Sequence, residues 1–312
     1  MTRRRAGMDW KSAIEAAAER ISGHVVRTPV MESAALWERP VALKLEQMQH
    51  TGSFKARGAF NTLLAAEVTE GGVVAASGGN HGAAVAYAAR QLGIPAQIFV
   101  PEIAGPSKIA LIERTGAGLT VVPGEYADAM AMAQRWETER GAMQVHAYDA
   151  PGTVTGQGTC LREWEEQGLE ADTVLIAVGG GGLIGGSLAW NDGRRKIVAV
   201  EPMGCNTLAS ALENGGPVDI GVSGVAANAL GARRIGSICY DLVRRDGTPV
   251  LQVPDGAILE AQTALWQAHR ILVEPAGACA LAALRWGIYQ PEPDERVAVL
   301  ICGGNVAPDP LA

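Results

Sequence analysis

Residues 173–190, TVLIAVGGGGLIGGSLAW, decide the fold. The run 173–178 is short, uncharged and rich in branched residues, so it reads as a buried strand. Four glycines, Gly179, Gly180, Gly181 and Gly182, follow it, and a helical stretch begins at once with Leu183. At a strand-to-helix turn, glycines let backbone N–H groups converge on an anion, and the helix start adds its partial positive charge. The stretch therefore predicts a phosphate cradle, because four successive glycines cost too much backbone entropy for an idle turn. Gly180, Gly182 and Gly185 also fit G-x-G-x-x-G, and Glu201 ends the next strand 16 residues after Gly185. That segment alone is equally compatible with a nicotinamide dinucleotide site.

The same alternation extends outward in both directions. Strands are expected at 41–46, 73–77, 96–100, 119–122, 196–201 and 297–302. Helices are expected at 54–67, 80–92, 106–115, 126–140, 258–272 and 276–287, with a first helix capped by Asp9 and stopped at Gly23. Strand alternating with helix predicts an α/β protein with mostly parallel sheets flanked by helices. In such folds ligands gather beyond the carboxyl ends of strands, which directs attention to the loops there.

Two further loops carry polar groups at helix starts. ASGGNHGAA (76–84) offers Ser77, Asn80 and His81, a set suited to a carboxylate or another polar ligand, or to simple helix capping. EQMQHTGSFKARGAFN (46–61) places Lys55 at the head of a helix with Phe54, Ala56, Ala59 and Phe60 around it. A lone lysine is by default a solvated surface charge, but near a positive helix end in partly apolar surroundings it should have a lowered pKa and so an amine able to form a Schiff base. His24, His50, His146 and His269 show no metal-ligand spacing, and Glu137/Glu139 and Glu165/Glu166 read as solvated helix faces.

Composition narrows the class. The chain has 312 residues, 48% of them apolar and 19% charged, which suits a folded chain of one or two domains. Its net charge of −7 argues against nucleic-acid and anionic-membrane partners. Glycine is enriched, at 39 residues. The five cysteines lack any C-x-x-C, which argues against a disulfide framework and for a reducing, cytoplasmic setting. The basic start MTRRRAG runs into charged residues rather than a signal peptide's apolar stretch.

Taken in order, HTGSFKARGA, ASGGNHG, GGGGLIGG, EPAGA (274–278) and CGGN (302–305) resemble the pyridoxal-phosphate-dependent enzymes of fold type II. Within them the resemblance is to the serine/threonine dehydratase and serine racemase branch, over roughly residues 20–305. It implies a discontinuous large domain (1–66 and 146–312), a small mobile domain (67–145), pyridoxal 5'-phosphate in the cleft and a homodimer. It implies that Lys55 carries the cofactor covalently and shuttles protons, with Phe54 packed near the ring. Gly179 to Gly182 and Leu183 would bind the phosphate, Asn80 the 3-hydroxyl oxygen, and Cys302 would sit beside the pyridine nitrogen. Ser77, Asn80 and His81 would hold the substrate carboxylate, and Glu274 would lie near the active site. The implied reaction is loss of water from a β-hydroxy amino acid to a 2-oxo acid and ammonia, Lys55 acting as base and the cofactor phosphate as acid.

Departures from the family shape this reading. Racemases of the branch carry Ser two residues before the motif Asn; here that position is Gly78, which favours dehydration over serine racemisation. Cysteine-synthase relatives carry Lys-Asp-Arg, whereas this chain has Lys55-Ala56-Arg57. Metal-activated relatives pair a Glu, here Glu201, with an Asp where this chain has Thr207, so the expectation is no metal. The chain ends seven residues after CGGN, so no regulatory region of the biosynthetic threonine deaminases is expected. A dinucleotide oxidoreductase would leave Lys55 and Asn80 unexplained, and a catalytically idle binding protein would bind amino acids without releasing oxo acid.

Overall fold

The computed structural model describes residues 8–306. The basic run 1–7 and residues 307–312, both assigned above to the large domain, lie outside the described residues. The first helix, Trp10–Ile21, is capped by Asp9, whose carboxylate accepts from the Ser12 N–H, and it ends at Ser22 one residue ahead of Gly23.

Two sheets organise the chain. Strands β1 (Val30–Ser33) and β2 (Val41–Leu45) begin one, β3 (Val73–Ala76), β4 (Ala96–Pro101), β5 (Gly118–Val122) and β6 (Met143–Gln144) form the other, and β7 (Thr173–Ala177), β8 (Lys196–Pro202), β9 (Val250–Val253) and β10 (Val297–Ile301) return to the first. The six-stranded sheet runs β1-β2-β10-β7-β8-β9, with only β1 antiparallel, and the four-stranded sheet runs β5-β4-β3-β6, all parallel. β7 and β10 are buried along their whole length, which is why their sequences are continuous apolar runs rather than alternating ones. The helices Gly182–Asn191 and Pro275–Arg285 are buried almost all round for the same reason.

The core beneath the four-stranded sheet combines Val73, Ala75, Ile98 and Val100 with the alanine-rich helix Asn80–Gln91. It also takes in Ile21 and, from the helix Lys55–Ala65, Ala56, Ala59, Phe60 and Leu63. The apolar packing thus continues across residue 67, and the helix bearing Lys55 puts its apolar face into the core of the four-stranded sheet.

The sequence reading assigns no element to 151–166, yet Pro151–Glu166 is a 16-residue helix. Its glycines serve close packing. A Cβ at Gly156 would lie 2.6 Å from Gly58 Cα and 2.7 Å from the Arg57 carbonyl oxygen, and one at Gly158 would lie 2.8 Å from the Gly186 carbonyl oxygen. Backbone therefore meets backbone where this helix crosses Lys55–Ala65 and Gly182–Asn191.

A buried charge cluster fastens the same crossing. Arg57 forks onto Glu46, Nε to Oε2 at 2.8 Å and Nη2 to Oε1 at 2.7 Å, and Nη2 also reaches Glu163 Oε1 at 2.9 Å. Lys44 Nζ donates to Glu163 Oε1, to the Thr28 carbonyl at 2.9 Å and to Gln167 at 2.7 Å. Two cations face two carboxylates, so the cluster is neutral and its members have partners. Glu166 is exposed, as expected of a solvated face, and pairs at the surface with Arg27 and Arg162, whereas Glu165 is largely covered and pairs with Arg194 and Arg195. The 3.6-residue period showed their face but not the basic residues that later segments bring to it.

Candidate active site

The three loops follow β2, β3 and β7, and they converge beside the carboxyl end of β10. Lys55 opens the helix Lys55–Ala65, and the residues before it are tied to the far end of the chain. Ser53 forms an isolated bridge with Gly303, and the Phe54 N–H donates to the Cys302 carbonyl at 3.2 Å. Lys55 Nζ donates to the Ala147 carbonyl at 2.9 Å and lies 5.2 Å from the centre of the Phe54 ring. Burial lowers its pKa to about 8, outweighing the opposing pull of Cys302 and Glu274. At neutral pH a usable fraction of the amine is therefore neutral and nucleophilic.

One cavity is lined by Phe54, Lys55, Asn80, Gly179, Gly180, Gly181, Gly182, Leu183, Glu274 and Cys302, joined by Tyr148 and Leu230. Gly181, at φ +89°, caps the helix Gly182–Asn191 without a side chain. The first N–H groups of a helix have no intrahelical acceptor, so this cap leaves donors for an anion. Side chains are excluded from the turn. A Cβ at Gly180 would strike the Tyr148 ring, and one at Gly181 would come within 2.6 Å of Cys239.

Asn80 is held from two sides. Its Nδ2 donates to Glu274 Oε1 at 2.5 Å, and its Oδ1 accepts from Asn305 Nδ2 at 2.8 Å. Asn305 Nδ2 also donates to the Thr51 carbonyl at 2.7 Å, so the ASGGN, EPAGA, CGGN and HTGS segments share one network. Burial, reinforced by Glu274, pushes the Cys302 thiol far up, so it is neutral and donates to the Ala276 carbonyl at 3.4 Å.

Ser77 Oγ accepts from the Gly79 N–H at 3.2 Å, shaping the turn ahead of the helix Asn80–Gln91. His81 is buried, and burial together with Lys55 lowers its pKa to about 3. Its neutral ring donates from Nε2 to the Val145 carbonyl at 2.8 Å, which leaves the backbone N–H as the group it offers at the helix start. Glu201 lies elsewhere. It accepts from the backbone N–H groups of Leu208 at 2.7 Å and Ala209 at 2.9 Å and from Thr207, at the start of the helix Thr207–Asn214. Among the described residues, no group of three or more His, Cys, Asp and Glu side chains is close enough to share a metal ion. Nor is any helix among them long and apolar enough to cross a membrane.

Sequence reasoning missed Tyr148, the Ala147 carbonyl and the role of Asn305. The first two follow β6, so the rule that ligands gather after parallel strands applied to them. The signal was hidden because β6 is only two residues long.

The donor set fits pyridoxal phosphate: a neutral amine for its aldehyde, a glycine cradle for its phosphate, and an amide and a neutral thiol for the polar edge of its ring. Comparison with known proteins agrees. Residues 21–303 match the family model described as pyridoxal-phosphate dependent enzyme. The chain is 35% identical to phenylserine dehydratase of Ralstonia pickettii, covering 94% of this chain and 92% of that one. It is 32% identical to L-threo-3-hydroxyaspartate ammonia-lyase of a Pseudomonas species, covering 93% of each. The structure of maize serine racemase superposes with a TM-score of 0.90 at 33% identity, covering 96% of this chain and 95% of that one. The chain therefore belongs to the pyridoxal-phosphate-dependent enzymes of fold type II, among relatives that include serine and threonine dehydratases and serine racemases.

Proposed function

We propose that this protein removes water from a β-hydroxy amino acid, yielding a 2-oxo acid and ammonia. When bound, pyridoxal phosphate supplies an aldehyde that captures amines and a ring that draws electron density from the substrate's α-carbon. Lys55 would hold it covalently, the backbone N–H groups of Gly179 to Leu183 its phosphate, Asn80 its 3-hydroxyl oxygen, and Phe54 and Cys302 its ring. With its amine free and neutral, Lys55 would accept the α-proton at Nζ, oriented by the Ala147 carbonyl. Ser77 and the helix start at Asn80–His81 receive the substrate carboxylate. A neutral Cys302 thiol does not protonate the pyridine nitrogen, which suits elimination, where the departing β-hydroxyl carries electrons away. Glu274 positions Asn80. The residues 67–145 would close on the site as a mobile domain, and the functional unit would be a homodimer.

The observation that carries this reading is the meeting of a buried, pKa-lowered Lys55 with the glycine cradle in one cavity. Gly78 supports dehydration in particular. A Cβ there would strike Ala104 and lie 3.0 Å from Val100, so the position offers no hydroxyl to the site and has no room for one in this packing. Serine racemisation is the second reading, favoured by the close superposition on maize serine racemase. Incubation of the holoenzyme with L-serine and L-threonine, scoring oxo acid, ammonia and the D-enantiomers, separates the two. Oxo acid and ammonia without D-amino acid are expected; D-serine as the main product would replace dehydration with racemisation.

A further inference from the structure

A glycine turn holds an anion only if its N–H groups are made to face it. In a trans peptide the carbonyl and the following N–H point in opposite directions, so each N–H is aimed by whatever ties the carbonyl of its own peptide. The carbonyls of this turn are tied in different ways. The Gly181 carbonyl accepts from the Gly185 N–H at 2.8 Å, within the helix Gly182–Asn191. The Gly180 carbonyl accepts from the Gly236 N–H at 3.1 Å. The Gly179 carbonyl takes a side chain instead, the hydroxyl of wholly buried Thr207, at 3.0 Å.

Thr207 stands behind the turn, outside the set of residues that line the cavity. It opens the helix Thr207–Asn214, and Glu201 fixes that helix start, one carboxylate oxygen accepting from the Leu208 N–H at 2.7 Å and the other from the Ala209 N–H at 2.9 Å. A side chain branched at Cβ is stiff at χ1, so a fixed helix start also fixes the hydroxyl. That hydroxyl has one proton to give. Two acceptors are in reach, the Gly179 carbonyl at 3.0 Å and Glu201 Oε1 at 3.3 Å, and the carbonyl is the nearer. Gly179 has no side chain of its own to hold the peptide, nor room for one, since a Cβ there would lie 2.9 Å from Leu230 Cα. Glycine is also the residue whose backbone turns most freely, so the orientation of this peptide depends on its tie.

We propose that Thr207 is a positioning residue of the phosphate cradle: its hydroxyl holds the Gly179 carbonyl back and so turns the Gly180 N–H onto the cofactor phosphate. The inference rests on the phosphate lying in the glycine turn, and the test separates the two. Thr207→Val keeps the branched outline of the side chain and deletes the hydroxyl, leaving a buried carbonyl without its donor. Full-length protein, stripped of cofactor, is titrated by fluorescence with pyridoxal phosphate and with pyridoxal, which has the same aldehyde and ring but no phosphate. Phosphorus NMR of the reloaded protein reports the surroundings of the phosphate itself. Native protein should bind pyridoxal phosphate roughly a hundredfold tighter than pyridoxal. Thr207→Val should weaken pyridoxal phosphate about tenfold, leave pyridoxal within about twofold and move the phosphorus resonance, and Thr207→Ser should restore the native values. Thr207→Ala makes the same deletion and takes the place of the valine variant if that one does not fold. Equal weakening of both ligands would show a general loss of structure, and unchanged binding of pyridoxal phosphate would show an idle hydroxyl; either overturns the proposal. Equal binding of the two ligands by native protein would remove the phosphate from the turn before any substitution is made, and with it the role of Thr207.

Discussion

Replacing Arg57 by Met tests the buried charge cluster next to the proposed catalytic lysine. The substitution keeps an unbranched stem and deletes the guanidinium together with its charge. In the native protein Lys44 and Arg57 balance Glu46 and Glu163; in Arg57→Met one ammonium faces two carboxylates. Glu46 suffers most. It is wholly buried, and it loses both fork bonds at 2.7 and 2.8 Å, keeping only the Thr28 hydroxyl. Breaking a buried pair by removing one partner typically costs about 3–5 kcal/mol, far above the ~1 kcal/mol of an exposed pair. The pH dependence follows from the sign of the Glu46 shift. Burial alone would raise its pKa, but the Arg57 charge and hydrogen bonds overcome this and hold it below the ordinary carboxylate value. Native Glu46 therefore contributes stability above its unfolded pKa, and that stability is lost as pH falls through the lower folded value. Without Arg57, burial prevails, the folded pKa rises above the unfolded one, and acid relieves the variant. Urea unfolding should show a deficit of about 3–5 kcal/mol near pH 8 that shrinks towards pH 5, and Arg57→Met with Glu46→Gln should recover part of it. A deficit under about 1 kcal/mol that does not change with pH would refute the reasoning.

Capture of pyridoxal phosphate by the apoprotein needs the neutral Lys55 amine, so its rate should fall about tenfold per pH unit below about 8; a flat stopped-flow profile across that range contradicts it. Gly181→Ala forces a side chain at φ +89° towards Cys239, a strain of roughly 1–2 kcal/mol, so cofactor affinity measured by fluorescence titration should fall about tenfold. Gly156→Ala gains ~1 kcal/mol of helix propensity but meets backbone at 2.6 Å, at an overpacking cost of about 1–3 kcal/mol, so its urea midpoint should drop; a rise would show that the helices separate freely. Burial raises Glu201 to about 7, against the pull of its backbone donors, so its contribution is lost as pH rises from 4.5 through 7; Glu201→Gln should be less pH-sensitive over that interval by thermal melts.

Much of this arrangement was legible because the loops keep their chemistry in short segments. The strand before Gly179 and the helix start at Lys55 follow from periodicity, and the structure places β7 at Thr173–Ala177 and the helix at Lys55–Ala65. The helix Pro151–Glu166 was not legible, because Gly152, Gly156 and Gly158 are loop-like by propensity and helical only through close packing. His81 looked like a ligand by its place in the motif, but the Val145 carbonyl that takes its ring comes from 64 residues away. Tyr148 was hidden by a strand too short to produce a period.

The contact of Gly58 with Gly156 has a consequence for any motion of the four-stranded sheet. Two backbones without intervening side chains, locked by Arg57 and Glu163, leave the helix of Lys55 no room to roll or slide. The face it turns towards that sheet is smooth by comparison: Ala56, Ala59, Phe60 and Leu63 present carbon alone. If residues 67–145 move as proposed, this packing leaves the reactive amine in register with the glycine turn while they do so.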